Sequence, residues 1–303
     1  MTPRLTKIGW KHQTGALTLA ALALTLCFGR ALVSLFRFSI SSEMYSHIFL
    51  IPFVSLYLIW IERRRIPPFS RPDYPAGVLL GSAGAFVLGI NWVGASAGKE
   101  LSTEDSLCLT TLSFLLLSGG ICALALGRRT LRSLAFPLTF LLLMVPYPTS
   151  FINVTETILE YGSAAVALAL FRLTGTPVYS SSFIFQLPGI RLQVAPECSG
   201  IHSTLALFIT SLVAGHLFLQ SNFRRCLLTI AVLPLALLRN GFRIYTIGEL
   251  CVYIGPEMIN SYIHRHGGPL FFLFSLIPFF LFLRLLIKFN PVATGATQLS
   301  VEH

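Results

Sequence analysis

Three polar sites beside apolar segments carry residue types that together can perform acyl transfer. Cys198 lies in the turn sequence Pro-Glu-Cys-Ser-Gly before a long apolar segment, Arg243 lies near the end of the next, and His264 and His266 precede the last. A cysteine thiolate can attack a carbonyl carbon, an arginine can bind the resulting oxyanion, and an imidazole can move a proton. These types predict a thiol enzyme with Cys198 as nucleophile and Arg243 as the group that binds the oxyanion or orients the substrate.

Further polar residues are supporting candidates. Asn240 and Arg239 precede Arg243 by three and four residues, so all three share one helix face. His202, four residues after Cys198, is a reserve candidate for the base. Each candidate also has a purely structural interpretation, such as a small turn residue or an arginine that snorkels to the membrane interface. The six cysteines show no C-x-x-C spacing, so neither a zinc site nor a disulfide framework is indicated. We expect no metal and no cofactor.

The composition is that of a polytopic membrane protein. Hydrophobic residues make up 54% of the chain and charged residues only 11%, whereas soluble domains carry about 25% charged residues. Several apolar segments approach the roughly 20 residues that span a bilayer as a helix. The net charge of +10 comes from basic clusters that border these segments. We therefore attribute the charge to membrane topology and expect the lipid bilayer, not nucleic acid, as a partner.

The apolar segments predict an all-α fold, a transmembrane helix bundle of about eight spans. Approximate spans are 17–36, 47–61, 76–95, 107–126, 131–145, 201–219, 226–247 and 269–287. The segment 151–173 is helical in period but carries Glu156 and Glu160, so we expect an interfacial or re-entrant helix. Residues 177–194 have strand character around Pro188-Gly189, which predicts a small extramembrane β-hairpin before Cys198.

We expect residues 1–303 to form a single integral membrane domain. N-terminal spans occupy 14–147, a catalytic half with the interfacial helix, the hairpin and the last three spans occupies 151–288, and 289–303 is a cytoplasmic tail. Basic clusters favour the cytoplasmic side, which predicts that both termini are cytoplasmic. The ends of the spans that carry Cys198, Arg243 and His264 then all face the periplasm or the exterior of a cytoplasmic (inner) membrane.

The motifs at these span ends resemble those of the exosortase/archaeosortase family. The shared motifs, in chain order, are Tyr45-Ser46-His47, Met144-Val145-Pro146-Tyr147-Pro148, Cys198-Ser199-Gly200-Ile201, Asn240-Gly241-Phe242-Arg243, and His264 four residues before Gly268. The resemblance covers about residues 40–290. Each motif is short, and the specificity comes from the ordered set on the expected helix ends.

The resemblance implies a membrane cysteine transpeptidase or peptidase, a thiol protease that cleaves a C-terminal sorting tail from exported proteins through a thioester. Such a tail consists of a short motif, a membrane helix and a basic cluster. By resemblance the nucleophile is Cys198, the essential arginine is Arg243 and the third residue is His264, whose spacing to Gly268 favours it over His266. The implied partners are membrane-anchored proteins that bear this tail, and a link to exopolysaccharide biosynthesis is a further implication.

Several alternatives stay open. The acceptor that resolves the thioester can be water, as in a processing peptidase, or an amine, a lipid or a polysaccharide. A different class of protein, a non-enzymatic membrane factor for polysaccharide assembly or export, would give Cys198 a structural role. The predicted hairpin, over 183–194, is a candidate for holding an extended substrate segment by strand pairing.

Overall fold

A computed structural model of the chain describes residue 15 and residues 18–67, 71–96, 101–181, 183–194, 200–263 and 267–289. The helices are α1 Thr18–Cys27, α2 Gly29–Ser41, α3 His47–Glu62, α4 Tyr74–Ser96, α5 Thr103–Ser133, α6 Ala135–Phe140, α7 Thr149–Thr174, α8 Ile201–Phe218, α9 Asn222–Ile230, α10 Val232–Tyr253 and α11 Gly268–Lys288. Short 3-10 helices occupy Glu43–Tyr45, Arg63–Arg65, Leu141–Met144 and Pro256–Asn260. The strands are β1 Tyr179–Ser181, β2 Ile184–Leu187 and β3 Ile190–Gln193.

The predicted polytopic helical bundle is confirmed. Within the described ranges, seven helical segments are long and apolar enough to cross a bilayer, and α1 with α2 makes an eighth if that pair, bent by 68°, counts as one span. The helical segments that qualify include α4, α5, α7, α8 and α11, together with the continuous stretch of α9 and α10. The chain is therefore a multi-pass membrane protein.

Contacts within the chain divide it into two compact units, Met1–Ile152 and Asn153–His303. In the first unit, α4 and α5 approach closely through small residues. A Cβ at Gly77 would lie 2.6 Å from the Leu124 side chain, and a Cβ at Gly120 would lie 3.1 Å from the Gly77 carbonyl oxygen. Small residues of this kind drive helix packing in lipid, where the hydrophobic effect contributes little. The expectation of one domain over 1–303 stays a prediction.

The segment 131–145, expected as the fifth span, does not form one continuous spanning helix. Leu131 belongs to the end of α5, and α6 with the following 3-10 helix forms only a short apolar helix, about 15 Å long at 1.5 Å per residue. This segment lies beside α3, since Ser55 Oγ of α3 donates a hydrogen bond to the Pro137 carbonyl oxygen over 2.8 Å. Just before α3, Tyr45 Oη donates to the Tyr147 carbonyl oxygen over 3.4 Å. The prolines after it cannot continue a helix.

The second unit contains the three-stranded antiparallel sheet, in the order β1-β2-β3. The predicted hairpin corresponds to β2 and β3, joined at Pro188-Gly189, where Gly189 has φ 78°. The sequence did not predict β1 as a third strand. Phe185 and Leu192 of the sheet are buried with Phe171 of α7 and Ile247 of α10 in one apolar core. The sheet therefore packs on the C-terminal halves of these two helices.

Helices α7 and α10 run side by side in the same direction. A Cβ at Gly162 would meet Leu237 at 2.6 Å, and one at Gly248 would meet Phe171 at 2.5 Å, so residue numbers rise together along both helices. By length and composition α7 qualifies as a span, which differs from the expected interfacial helix. Glu160, which from the sequence made this segment a poor span, is buried inside the protein and does not face lipid. The interfacial or re-entrant path stays a prediction.

Candidate active site

A cluster of polar side chains in the middle of α10 approaches the turn that precedes α8. Arg239 is 8% exposed and Asn240 only 2%, and Arg243 is half-buried one turn further along the helix. Charged and polar residues within an apolar helix are costly in a membrane and are retained where they have partners or a function. The hydrogen-bond partners and contacts of Arg239 and Asn240 show which part of the chain this cluster holds in place.

Arg239 is fixed to the first turn of α8. Its Nη2 donates hydrogen bonds to the Gly200 carbonyl oxygen over 3.1 Å and to Thr204 Oγ1 over 3.2 Å. The Thr204 hydroxyl donates in turn to the same Gly200 carbonyl oxygen over 2.8 Å. Because hydrogen bonds from a charged donor are stronger than neutral ones, this arrangement holds the start of α8 against α10.

Gly200 can be replaced by no other residue without strain or displacement. Its φ of 73° and ψ of 19° are left-handed, a conformation that side chains with a Cβ adopt at a cost. A Cβ at this position would also lie 3.1 Å from Arg239 Nη2 and 3.1 Å from Asn240 Oδ1. Both Arg239 and Asn240 therefore lie directly against the backbone two residues after Cys198.

Asn240 connects this turn to α7. Its Nδ2 donates to Ser163 Oγ over 3.0 Å, and Ser163 is fully buried. The next residue, Gly241, has no room for a side chain, since a Cβ there would lie 2.5 Å from Val166 and 2.9 Å from the Ser163 carbonyl oxygen. Helix α7 thus supports the part of α10 that contacts Gly200.

The structure brings together some of the predicted site residues. Arg239 and Asn240 contact Gly200. Cys198, His264 and His266 lie outside the described residues. His202 lies in the first turn of α8 with an exposed side chain. Within the described ranges, no group of three His, Cys, Asp or Glu residues is arranged to hold a metal ion.

Two residues of this cluster were missed from the sequence, Ser163 and Thr204. Ser163 stands in the stretch Gly-Ser-Ala-Ala, whose small side chains are typical of close helix packing in membranes. Thr204 lies four residues after Gly200, where its hydroxyl can reach the carbonyl of the preceding turn. Both signals were present, but neither indicates which distant side chain the hydroxyl would contact.

An apolar cavity of about 250 Å³ lies between α10 and α11 beside Arg239. It is lined by Leu235, Leu238, Arg239, Phe242, Phe271, Phe274, Ser275 and Pro278. Leu238 and Phe274 are more than half exposed, so the cavity opens on the surface of the helical bundle. A groove of this composition fits an apolar segment, with the arginine as the charged group among its described lining residues.

Residues 39–281, most of the chain, match the family model described as transmembrane exosortase. The matched range contains the Gly200 turn and the polar cluster on α10, together with Cys198 and His264. No curated protein and no solved structure matches the chain. On this match, the chain belongs to the transmembrane exosortase family.

Proposed function

We propose that the protein is a membrane cysteine transpeptidase that cleaves the C-terminal sorting tail of exported proteins, with Cys198 as its nucleophile. The observation that carries the proposal is the contact of buried Arg239 and Asn240 with Gly200, two residues after Cys198. This contact supports the proposal because Arg243 lies one turn away on the same face of α10, the face that contacts Gly200. Membership of the transmembrane exosortase family supports the reaction class.

The chemistry begins with the thiolate of Cys198. Its sulfur attacks the carbonyl carbon of the scissile peptide bond and forms a C–S bond, and the carbonyl oxygen becomes an oxyanion. When this intermediate collapses, the C–N bond breaks and the tail leaves as an amine that takes a proton from His264. An amine, a hydroxyl group or water then attacks the thioester and gives its proton to His264, and the C–S bond breaks, which releases the product and returns the thiolate and the protonated His264.

Two features of the chain would favour these steps. Cys198 precedes Ile201, the first residue of α8, by three positions in the sequence, and the helix dipole and free N–H groups at a helix N-terminus would stabilise its thiolate. Arg243 would bind the oxyanion or the substrate carbonyl through its planar, permanently charged guanidinium. Arg239, held by Gly200 and Thr204, would position the turn without touching the substrate.

The proposed site faces the outer side of a cytoplasmic (inner) membrane, with both termini in the cytoplasm. Arg224 and Arg225 lie at the start of α9, and basic residues favour the cytoplasmic side. Helix α10 would then run outwards, and α7 runs in the same direction as α10. The sheet on their C-terminal halves and the turn at Gly200 would follow on the outer side, where an exported substrate arrives.

The groove between α10 and α11 would receive the apolar helix of the sorting tail. Its lining is apolar except for Arg239 and Ser275, and it lies beside the residue that holds the Gly200 turn. A substrate helix in this groove would carry its outer end towards Cys198. Restriction to the membrane plane and to one groove supplies the effective concentration that a deep cleft gives a soluble enzyme.

The test uses the full-length protein in lipid nanodiscs with a membrane-anchored substrate that carries a sorting tail from the same genome. The wild-type enzyme is expected to release the tail and to form a thioester adduct with the N-terminal part of the substrate. Hydroxylamine should cleave this adduct. Cys198→Ala should lose both while keeping the melting temperature. Cys226→Ala, at an exposed cysteine of α9, is the matched control that keeps both.

Tail release by Cys198→Ala would exclude the proposed enzyme. If that variant also restored polysaccharide export to a strain that lacks the protein, the non-enzymatic membrane factor would be the better interpretation. An adduct that only water resolves would instead identify a processing peptidase.

A further inference from the structure

One edge of the sheet leads directly to Cys198. Among the described residues, strand β3 pairs only with β2, because the strand order is β1-β2-β3. Cys198 follows the last residue of β3, Gln193, by five positions, a distance of at most about 18 Å for an extended chain. A polypeptide bound along the open edge of β3 would therefore end close to the proposed nucleophile.

The register shows which backbone groups point to this open edge. Val194 N donates to the Phe183 carbonyl oxygen over 2.8 Å, so these two residues form a hydrogen-bonded pair. Hydrogen-bonded and non-hydrogen-bonded pairs alternate along an antiparallel ladder. The next hydrogen-bonded pair is therefore Leu192 with Phe185, which are opposite each other in the register. The residues of the alternate pairs, Gln193 and Arg191, direct their N–H and C=O groups away from β2.

These outward groups are open to a partner. Among the described residues, nothing donates to or accepts from the backbone of Arg191 or Gln193 on that side. Their side chains are exposed, whereas Leu192 between them is 5% exposed and faces the core with α7 and α10. The core thus holds one face of β3 and leaves its edge accessible.

The opposite edge of the sheet is a poorer template. On β1, Tyr179 and Ser181 pair with Gln186 and Ile184, which turn their backbone groups towards β1. Only Ser180, in the middle of that three-residue strand, directs its N–H and C=O outwards. The edge of β3 offers two such residues, and Cys198 follows β3 closely in the sequence.

We propose that the edge of β3 binds an extended segment of the substrate as a fourth strand. The inference rests on the proposed function, since it takes the substrate to be a polypeptide whose scissile bond reaches Cys198. A row of unpaired N–H and C=O groups is the template by which peptides add to sheets. Arg191 and Gln193 each offer one N–H and one C=O, so recognition depends on the substrate backbone.

The added strand runs parallel to β3. In the enzyme's sequence β3 is followed by Cys198 and then by α8, an apolar helix. The proposed substrate has the same order, an extended segment followed by an apolar membrane helix. Two chains that both leave the sheet for the membrane run in the same direction, and parallel strands pair through evenly spaced hydrogen bonds.

Proline scanning of the full-length enzyme tests the pairing. Arg191→Pro and Gln193→Pro each remove an outward N–H, and proline is tolerated at sheet edges because the N–H it lacks does not pair with the next strand. Loss of one hydrogen bond is expected to raise KM about fivefold and leave kcat within about twofold. Arg191→Ala and Gln193→Ala keep the N–H and should raise KM less than the corresponding prolines.

The matched control is Ser180→Pro, which removes the outward N–H of β1 and should leave KM unchanged. Only variants that keep the melting temperature of the wild type are compared. Where a proline variant melts at a lower temperature, an ester that replaces the backbone amide at the same position is used instead. Equal effects of alanine and proline, or no effect of either, would overturn backbone pairing.

Disulfide crosslinking tests the same pairing without turnover. In a Cys198→Ala protein, Gln193→Cys is combined with substrates that carry one cysteine at successive positions of the extended segment. Strand pairing predicts crosslinks at every second position, because alternate side chains lie on one face. Crosslinking without this period, or equal crosslinking from Ser180→Cys, would refute the proposal. Period-two crosslinks with a wild type that releases no tail would keep the binding edge and refute the proposed function.

Discussion

Arg239 Nη2 lies 3.1 Å from the Gly200 carbonyl oxygen and donates a hydrogen bond to it. The bond joins the middle of α10 to the residue just before α8, and Thr204 Oγ1 accepts a second hydrogen bond from the same nitrogen. Because Gly200 is two residues from Cys198 in the sequence, displacement of Arg239 is expected to shift the backbone that follows the proposed nucleophile. Arg239 is thus a positioning residue for the proposed reaction.

Replacement of Arg239 should therefore impair turnover more than substrate affinity. Arg239→Gln shortens the side chain and removes the charged hydrogen bonds, and kcat is expected to fall about tenfold with KM within about twofold. Arg239→Lys keeps one charged donor and should recover part of kcat. Steady-state cleavage in nanodiscs provides both constants.

The control for Arg239 is Thr204→Val, which removes the second acceptor and the hydroxyl's own bond to the Gly200 carbonyl oxygen but keeps the bond from Arg239 to Gly200, and should cost less in kcat. A large rise in KM with unchanged kcat would contradict a positioning role and assign Arg239 to direct substrate binding. Failure of lysine to recover any turnover would argue that the planar guanidinium itself contacts the reacting group.

Gly200→Ala should destabilise the protein and reduce its activity. The left-handed backbone costs about 1–2 kcal/mol with a Cβ, and the new methyl group would press on Arg239 and Asn240. Gly175→Ala is the matched control, since Gly175 has φ 77° but no described atom lies within 4 Å of where its methyl group would be. Thermal unfolding should show strain in both variants, and activity should fall steeply only for Gly200→Ala.

An equal loss of activity in the Gly175 and Gly200 variants would show that backbone strain alone accounts for the effect. The close approach of α10 to the turn would then have no part in it.

Much of this architecture follows from the sequence because a membrane imposes strong local rules. An apolar run of about 20 residues is visible in composition alone, and Pro188-Gly189 between alternating residues predicts the β2–β3 turn correctly. The expected fifth span was less accurate, because hydropathy measures lipid compatibility and not helical continuity. The helix is interrupted at Leu134, so Leu131 belongs to the end of α5 and α6 begins only at Ala135.

The contacts of the polar cluster could not be derived from the sequence. Helical spacing places Arg239, Asn240 and Arg243 on one face but does not say what that face meets. Ser163 lies 77 residues before Asn240 along the chain. Only the packing of α7 and α8 on α10 brings Ser163 and Gly200 to this face. The burial of Glu160 is likewise a result of packing.

The hydrogen bond between Asn240 and Ser163 should contribute to stability as a pair. Ser163→Ala leaves the buried Asn240 amide without that acceptor, which costs about 1–3 kcal/mol. Asn240→Ala removes the amide and its contact with Gly200. The double variant should cost less than the sum of the two single changes, and chemical denaturation in detergent measures this coupling.

Ser118→Ala is the control for the serine change, since the Ser118 hydroxyl donates within its own helix, to the Phe114 carbonyl oxygen. Strict additivity of the Asn240 and Ser163 changes would show that the bond contributes nothing beyond its separate groups.

Arg243→Lys should lose most activity while the protein stays folded. An ammonium cannot reproduce the two parallel donors of a guanidinium, and loss of an oxyanion-binding donor lowers kcat about 100-fold or more. Arg172→Lys, at the exposed end of α7, is the matched control and should behave as wild type. Single-turnover acylation measures the step concerned, and near wild-type acylation by Arg243→Lys would exclude the proposed role.

The groove between α10 and α11 should control substrate affinity. Leu238 lies at the rim of the cavity and is 55% exposed, so Leu238→Trp would fill the cavity from its rim. This variant is expected to raise KM several-fold without lowering kcat. The reason is that the larger side chain competes with the tail helix for the groove but leaves the turn at Gly200 intact. Leu273→Trp is the control, since Leu273 is 61% exposed and lies on the opposite face of α11 from Phe271, Phe274 and Pro278. Cleavage rates over a range of substrate densities in the bilayer separate the two constants. Equal effects of the two tryptophans would mean that the tail helix binds elsewhere, and a fall in kcat alone would mean that the groove acts through Arg239.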